Sequence, residues 1–203
     1  MRRAAVLLSS VLVPLCSAAE LRAATVEKTY RYYKVRGASL EEIEQDVRRR
    51  GPKLESGVRH PGATSLEFKA NVSYAERPGR CWVDGATVTV KAEVTLPRWV
   101  GNRKADPDTR LIWQALEMDI KRHEEFHVTI AKNHAFALER TLTELQRYSS
   151  CERAKAATQE TIDNVLKRHD REQEKFDRVE SANFSDRLAR LVRSRAQQMD
   201  QLR

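Results

Sequence analysis

The chain has 203 residues, a formal charge of +8 and charged side chains at 33% of its positions. That length suits one domain with a helical extension. No stretch after the first residues is apolar enough to cross a bilayer, and no basic patch is interleaved with aromatics, which excludes the usual single-strand nucleic-acid binder.

Arg2 and Arg3 precede a short apolar run from Ala4 to Leu15, and Ser17-Ala18-Ala19 supplies small residues for cleavage, with Ala24 as a second candidate. This is the pattern of a secretion signal. Residues 1–24 are therefore expected to leave, with cleavage after Ala19 or Ala24, and the mature protein to be periplasmic or secreted. Of the cysteines, Cys16 leaves with the signal; Cys81 and Cys151 remain, an even pair expected to form one disulfide in an oxidising compartment.

Thr29 to Val35 alternates, is rich in Tyr and reads as a strand. Ser39 followed three residues later by Glu42 is a capping box, opening a helix to about Arg50 with Leu40, Ile43 and Val47 on one face. Ala63 to Tyr74 alternates again, Arg77-Pro78-Gly79-Arg80 is a turn, Cys81-Trp82-Val83 begins the next strand, and Asp84-Gly85 carries a hairpin signal. Ala86 to Leu96 is a strand with Val88, Val90, Ala92, Val94 and Leu96 on one side. A long helix, capped by Asp106 or Asp108 with Pro107 in its first turn, is expected to run to about Tyr148. From Glu152 onward the chain is helical again, with Ala182-Asn183-Phe184-Ser185 as a potential break. The domain reading is an α+β core over residues 25–150 and a C-terminal helical segment over 151–203 packing back on it.

The long helix carries His123-Glu124-Glu125-Phe126-His127. Residues four apart share a helix face, so His123 and His127 can close on one zinc ion, and Glu124 lies about 100° round the helix, within reach of a zinc-activated water as general base. The two histidines fall in gaps of the apolar stripe formed by Ile112, Leu116, Ile120 and Ile130 and should point toward the core. A catalytic zinc takes a third protein ligand. His134 lies about 10 Å along a straight helix from His127 and reads as a core histidine. An antiparallel helical hairpin about Ser150 would bring residues near 175 opposite the motif. Glu180 is the first choice there, then Asp177, with His169 third and closer to His134.

Several pieces in order carry a family resemblance: Tyr32-Tyr33-Lys34-Val35-Arg36-Gly37, Gly51-Pro52, Cys81, Leu96-Pro97-Arg98-Trp99, the His-Glu-x-x-His motif and Cys151. With these the chain resembles a bacterial family of exported proteins classed as zinc-dependent proteases, domain of unknown function 922. Many members of that family carry a Tyr-Asp-x-x-Thr-x-His-Gly run near the end. Here Phe176 and Asp177 match its start, but Ala182 stands at the histidine. Where that histidine is the third ligand, Glu180 is the replacement this sequence offers.

The expectation is an exported zinc metallopeptidase of zincin-like α+β type, with a small antiparallel sheet, a zinc-motif helix and a helical arm. Its substrate would be a protein or a cell-wall peptide, held by backbone pairing to a strand such as Ala86–Leu96. The alternative is a non-catalytic envelope interaction module with a structural or vestigial metal site.

Overall fold

The computed structural model describes residues 24–53 and 57–201. The expected signal peptide lies outside these residues apart from Ala24, which is buried in the core. The fold is α+β. Strand β1 (Thr25–Val35) is followed by α1 (Leu40–Arg50), β2 (Ala63–Arg77), β3 (Arg80–Trp99), the long α2 (Pro107–Thr143), α3 (Cys151–Ala182) and α4 (Phe184–Gln201). Among the described residues no helix is long and apolar enough to cross a membrane.

The sheet order is β1-β3-β2. Within the sheet β2 pairs antiparallel with β3, while β1 joins β3 in parallel, Thr25 opposite Thr89 through Val35 opposite Trp99. Asp84-Gly85 is no hairpin. The turn lies at Pro78-Gly79, where Gly79 takes a positive φ of 71°, and β3 continues through Asp84-Gly85 with a register shift against β2 between Ser73 and Tyr74. A bulge absorbs one extra residue in this way and keeps the apolar positions beyond it on one face.

That face carries Val88, Val90, Ala92, Val94 and Leu96, all buried. Helix α2 lies across it. Asp106 caps α2, its Oδ1 accepting from the Thr109 N–H at 2.8 Å, and Pro107 needs no intrahelical partner at the first position. Ala131, Ala135, Leu138 and Leu142 of α2 meet Val88 and Val90 of the sheet and Val165 of α3 in the largest core cluster. α1 closes the other end, where Ile43 packs with Val35 and Trp113.

Helix α2 ends at Thr143, short of Tyr148. The intervening backbone leaves the helix, and Tyr148 exchanges two 2.8 Å hydrogen bonds with Cys81. This short bridge, together with the Cys81–Cys151 disulfide (Cα–Cα 5.1 Å), fastens the α2–α3 connection to β3. Ser150 caps α3, which runs back antiparallel along α2, as expected from a hairpin about Ser150. At Asn183 the chain breaks and α4 continues along the first half of α2, where Arg187 meets Asp119.

Candidate metal centre

Two adjacent rows of α2 build the site. Ile120, Glu124 and Val128 are buried toward the sheet. Asp119, His123 and His127 form the neighbouring row, which faces α3 and α4 rather than the apolar core. His123 and His127 therefore stay partly exposed in a cleft of about 570 Å³ between the start of β2 and α3.

His123 Nε2 and His127 Nε2 lie 3.1 Å apart. Asp177 Oδ1 of α3 lies 3.2 Å from the first and 3.1 Å from the second. Among the described residues these three are the group of side chains that could hold a metal ion. The triangle fits zinc: bonds of roughly 2.0–2.1 Å in a tetrahedron separate ligand atoms by about 3.3 Å. Burial alone would raise the Asp177 carboxyl, but the two imidazoles hold it well below the usual carboxylate range. Burial alone would lower the His127 imidazole, but Asp177 and Gln173 outweigh it and hold it above its ordinary value. The two shifts are the two sides of one pairing between the imidazoles and the Asp177 carboxylate.

Glu180, ranked first from the sequence, takes a different place. Its carboxylate is bound by Arg122 and lies 3.3 Å from Arg187 Nη2, while its Oε2 is 3.7 Å from His123 Nδ1. It backs the far nitrogen of His123 instead of joining the ligand triangle. His169 sits deeper along α3, 5.5 Å from the His134 ring between centroids. It reaches the site only through Gln173, whose Oε1 is 2.5 Å from His127 Nδ1. His134 itself pairs with Glu172 at 2.8 Å. Gln173 escaped the sequence reading because it is no metal ligand. Its signal was spacing alone: Gln173, Asp177 and Glu180 recur four and three residues apart on one helix face.

Glu124 is buried beside the ligands, its Oε2 accepting from Thr64 Oγ1 of β2 at 2.8 Å. Burial pushes its carboxyl up, and the Thr64 bond offsets part of that rise. Gly62, just before β2, lies against its other oxygen. Tyr33 donates to the Pro61 carbonyl at 2.8 Å and so holds this approach to β2 in place. The remaining cleft wall is mixed, with Leu66, Ile120 and Phe184 beside Asp119 and Arg187. Arg187 donates to both oxygens of Asp119 at 2.7 and 3.1 Å, tying α4 to the rim.

A family model described as "Bacterial protein of unknown function (DUF922)" matches residues 30–184, a span containing every residue of the site except Arg187. No curated protein and no solved structure matches the chain.

Proposed function

From the premise that the chain belongs to this bacterial family of unknown function, we propose that it is an exported zinc-dependent metallopeptidase. The observation that carries the reading is the triangle of His123 Nε2, His127 Nε2 and Asp177 Oδ1, with the buried Glu124 carboxylate beside it. Zinc, when bound by these three residues, supplies a Lewis acid and a water of lowered pKa. The leader-like residues 1–24 and the Cys81–Cys151 disulfide support export to the periplasm or beyond.

The chain's own residues supply the rest. Glu124 takes the proton of the attacking water and hands it to the leaving amine. Thr64 holds Oε2, so Oε1 is the oxygen left for that exchange. Strand Ala86–Leu96 does not serve as the substrate edge, because β3 is central and paired on both sides. The edge beside the site is β2, with Ala63 to Leu66 at the cleft; an extended peptide, from a protein or from the cell wall, pairs there. Leu66, Ile120 and Phe184 then meet its apolar side chains.

The test is zinc content and peptide hydrolysis for the wild-type mature chain and Glu124→Gln. One zinc per chain in both, with hydrolysis lost on the order of 10²–10⁴-fold in the variant, is the expected result. Full zinc with no hydrolysis of any peptide by the wild type leaves the alternative, an envelope interaction module with a structural metal.

A further inference from the structure

Behind His127 lies an unbroken chain of hydrogen bonds on α3 that the peptidase chemistry does not itself require. His127 Nδ1 is 2.5 Å from Gln173 Oε1. Gln173 Nε2 lies 2.8 Å from His169 Nε2 and 3.1 Å from the His127 carbonyl oxygen. His169 Nδ1 is 2.9 Å from Asp170 Oδ1. His169 is 6% exposed and is held edge-on against Phe68, with ring centroids 4.9 Å apart. Asp170 reaches the surface, its side chain 71% exposed.

We propose that Asp170, His169 and Gln173 form a relay that fixes the tautomer of His127, placing its proton on Nδ1 and leaving the Nε2 lone pair for the metal. The direction of every bond follows from the outer end. An ionised carboxylate only accepts, so His169 Nδ1 carries the proton and its Nε2 must accept. Gln173 therefore presents its NH₂ group there, and the second N–H of that group meets the His127 carbonyl. Its Oε1 is then turned to His127 Nδ1, which has to donate. The opposite amide orientation would set Oε1 against the His127 carbonyl oxygen, acceptor to acceptor. With Nδ1 held as a donor, Nε2 is the atom left to turn a lone pair to a metal, 3.1 Å from both His123 Nε2 and Asp177 Oδ1. In the metal-free chain the Asp177 carboxylate competes by accepting a proton from that same atom. Gln173 and His169 are thus positioning residues: they touch neither metal nor substrate.

The inference rests on His127 being a metal ligand, and its test keeps the two ideas apart. Tautomers are read from two-bond nitrogen–proton correlations in zinc-free, ¹⁵N-labelled chains carrying Asp177→Ala, which removes the carboxylate that competes for His127 Nε2, at about pH 8.5, where histidines are largely neutral. Titration with zinc alone reports affinity, in chains that keep Asp177. The expected result is the Nδ1–H form of His127 where Gln173, His169 and Asp170 are native. Gln173→Leu should bring in the Nε2–H form and weaken zinc binding roughly 10- to 100-fold, the usual cost of losing an outer partner. Gln173→Glu keeps an acceptor for Nδ1 and with it the tautomer, but its second oxygen meets the His127 carbonyl oxygen, so zinc affinity should recover only in part. Asp170→Ala, a surface change that leaves folding intact, shifts tautomer and affinity in the same direction by a smaller factor. An unchanged His127 tautomer and unchanged zinc affinity in both Gln173→Leu and Asp170→Ala overturn the relay. A folded wild type that takes up no zinc overturns the metal reading instead, while the tautomer of Gln173→Leu still decides whether the relay exists.

Discussion

Gly62 lies so close to Glu124 that a Cβ built on it would fall 2.6 Å from Glu124 Oε1 and 2.9 Å from its Cγ. The loop entering β2 and the helix α2 thus meet with room for hydrogen only. Gly62→Ala should push the Glu124 carboxylate off its Thr64 bond. Under the peptidase reading, hydrolysis then falls on the order of 10²-fold, because displacement of a reacting group by about 1 Å is enough for that loss. The histidine ligands are untouched, so zinc content should stay at the wild-type level. Parallel metal analysis and peptide assay on this variant check both halves.

Asp177 and Glu180 are both carboxylates on the same face of α3, but only Asp177 closes the ligand triangle. Asp177→Ala should weaken zinc binding by at least about 10²-fold, more than the loss of an outer partner costs. Glu180→Gln should cost less than about tenfold, since it retains a polar partner for Arg122 and His123. Calorimetric zinc titration of the two variants gives the ranking; the reverse order would make Glu180 the ligand.

Asp46 on α1 ties stability to pH at a distance from the site. Burial alone would raise its carboxyl, but Arg49, Arg50 and the Arg36 N–H hold it down at about 2. An unfolded Asp titrates near 3.9. The folded form thus gains stability that is complete above about pH 4–5 and is lost as pH falls toward 2. Because Arg49 is 71% and Arg50 40% exposed, solvent screening limits the effect to about 1 kcal/mol. Urea unfolding at about pH 5 and about pH 2.5 should show a smaller drop in Asp46→Asn than in the wild type.

The Cys81–Cys151 bond spans 70 residues of sequence. Closing a loop of that length in the unfolded chain is worth about 4 kcal/mol on the chain-entropy account. The double substitution Cys81→Ala and Cys151→Ala should lower unfolding free energy by roughly 2–4 kcal/mol. Denaturant melts of the two proteins measure it. A loss well under 1 kcal/mol would mean that the Tyr148–Cys81 bridge already holds the connection without the disulfide.

The sequence by itself determined the local elements and the motif. The Ser39 cap, a cap at Asp106 or Asp108, the alternation through β3 and the four-residue spacing of His123 and His127 act within a turn or a strand, where neighbouring side chains set the outcome. It also placed Asp177 and Glu180 at the level of the motif, because an antiparallel hairpin about Ser150 pairs residues by simple reflection. Reflection fixes height along a helix but not rotation about it. Only the packed structure decided that Asp177 faces the two imidazoles while Glu180 is drawn aside by Arg122 and Arg187, and that Gln173 stands behind His127. Strand neighbours were hidden for a similar reason. Period-two alternation gives the buried face of β3 but not which strands lie beside it, so the central place of β3, the free edge of β2 and the contact of Gly62 with Glu124 emerge only when the sheet and α2 come together.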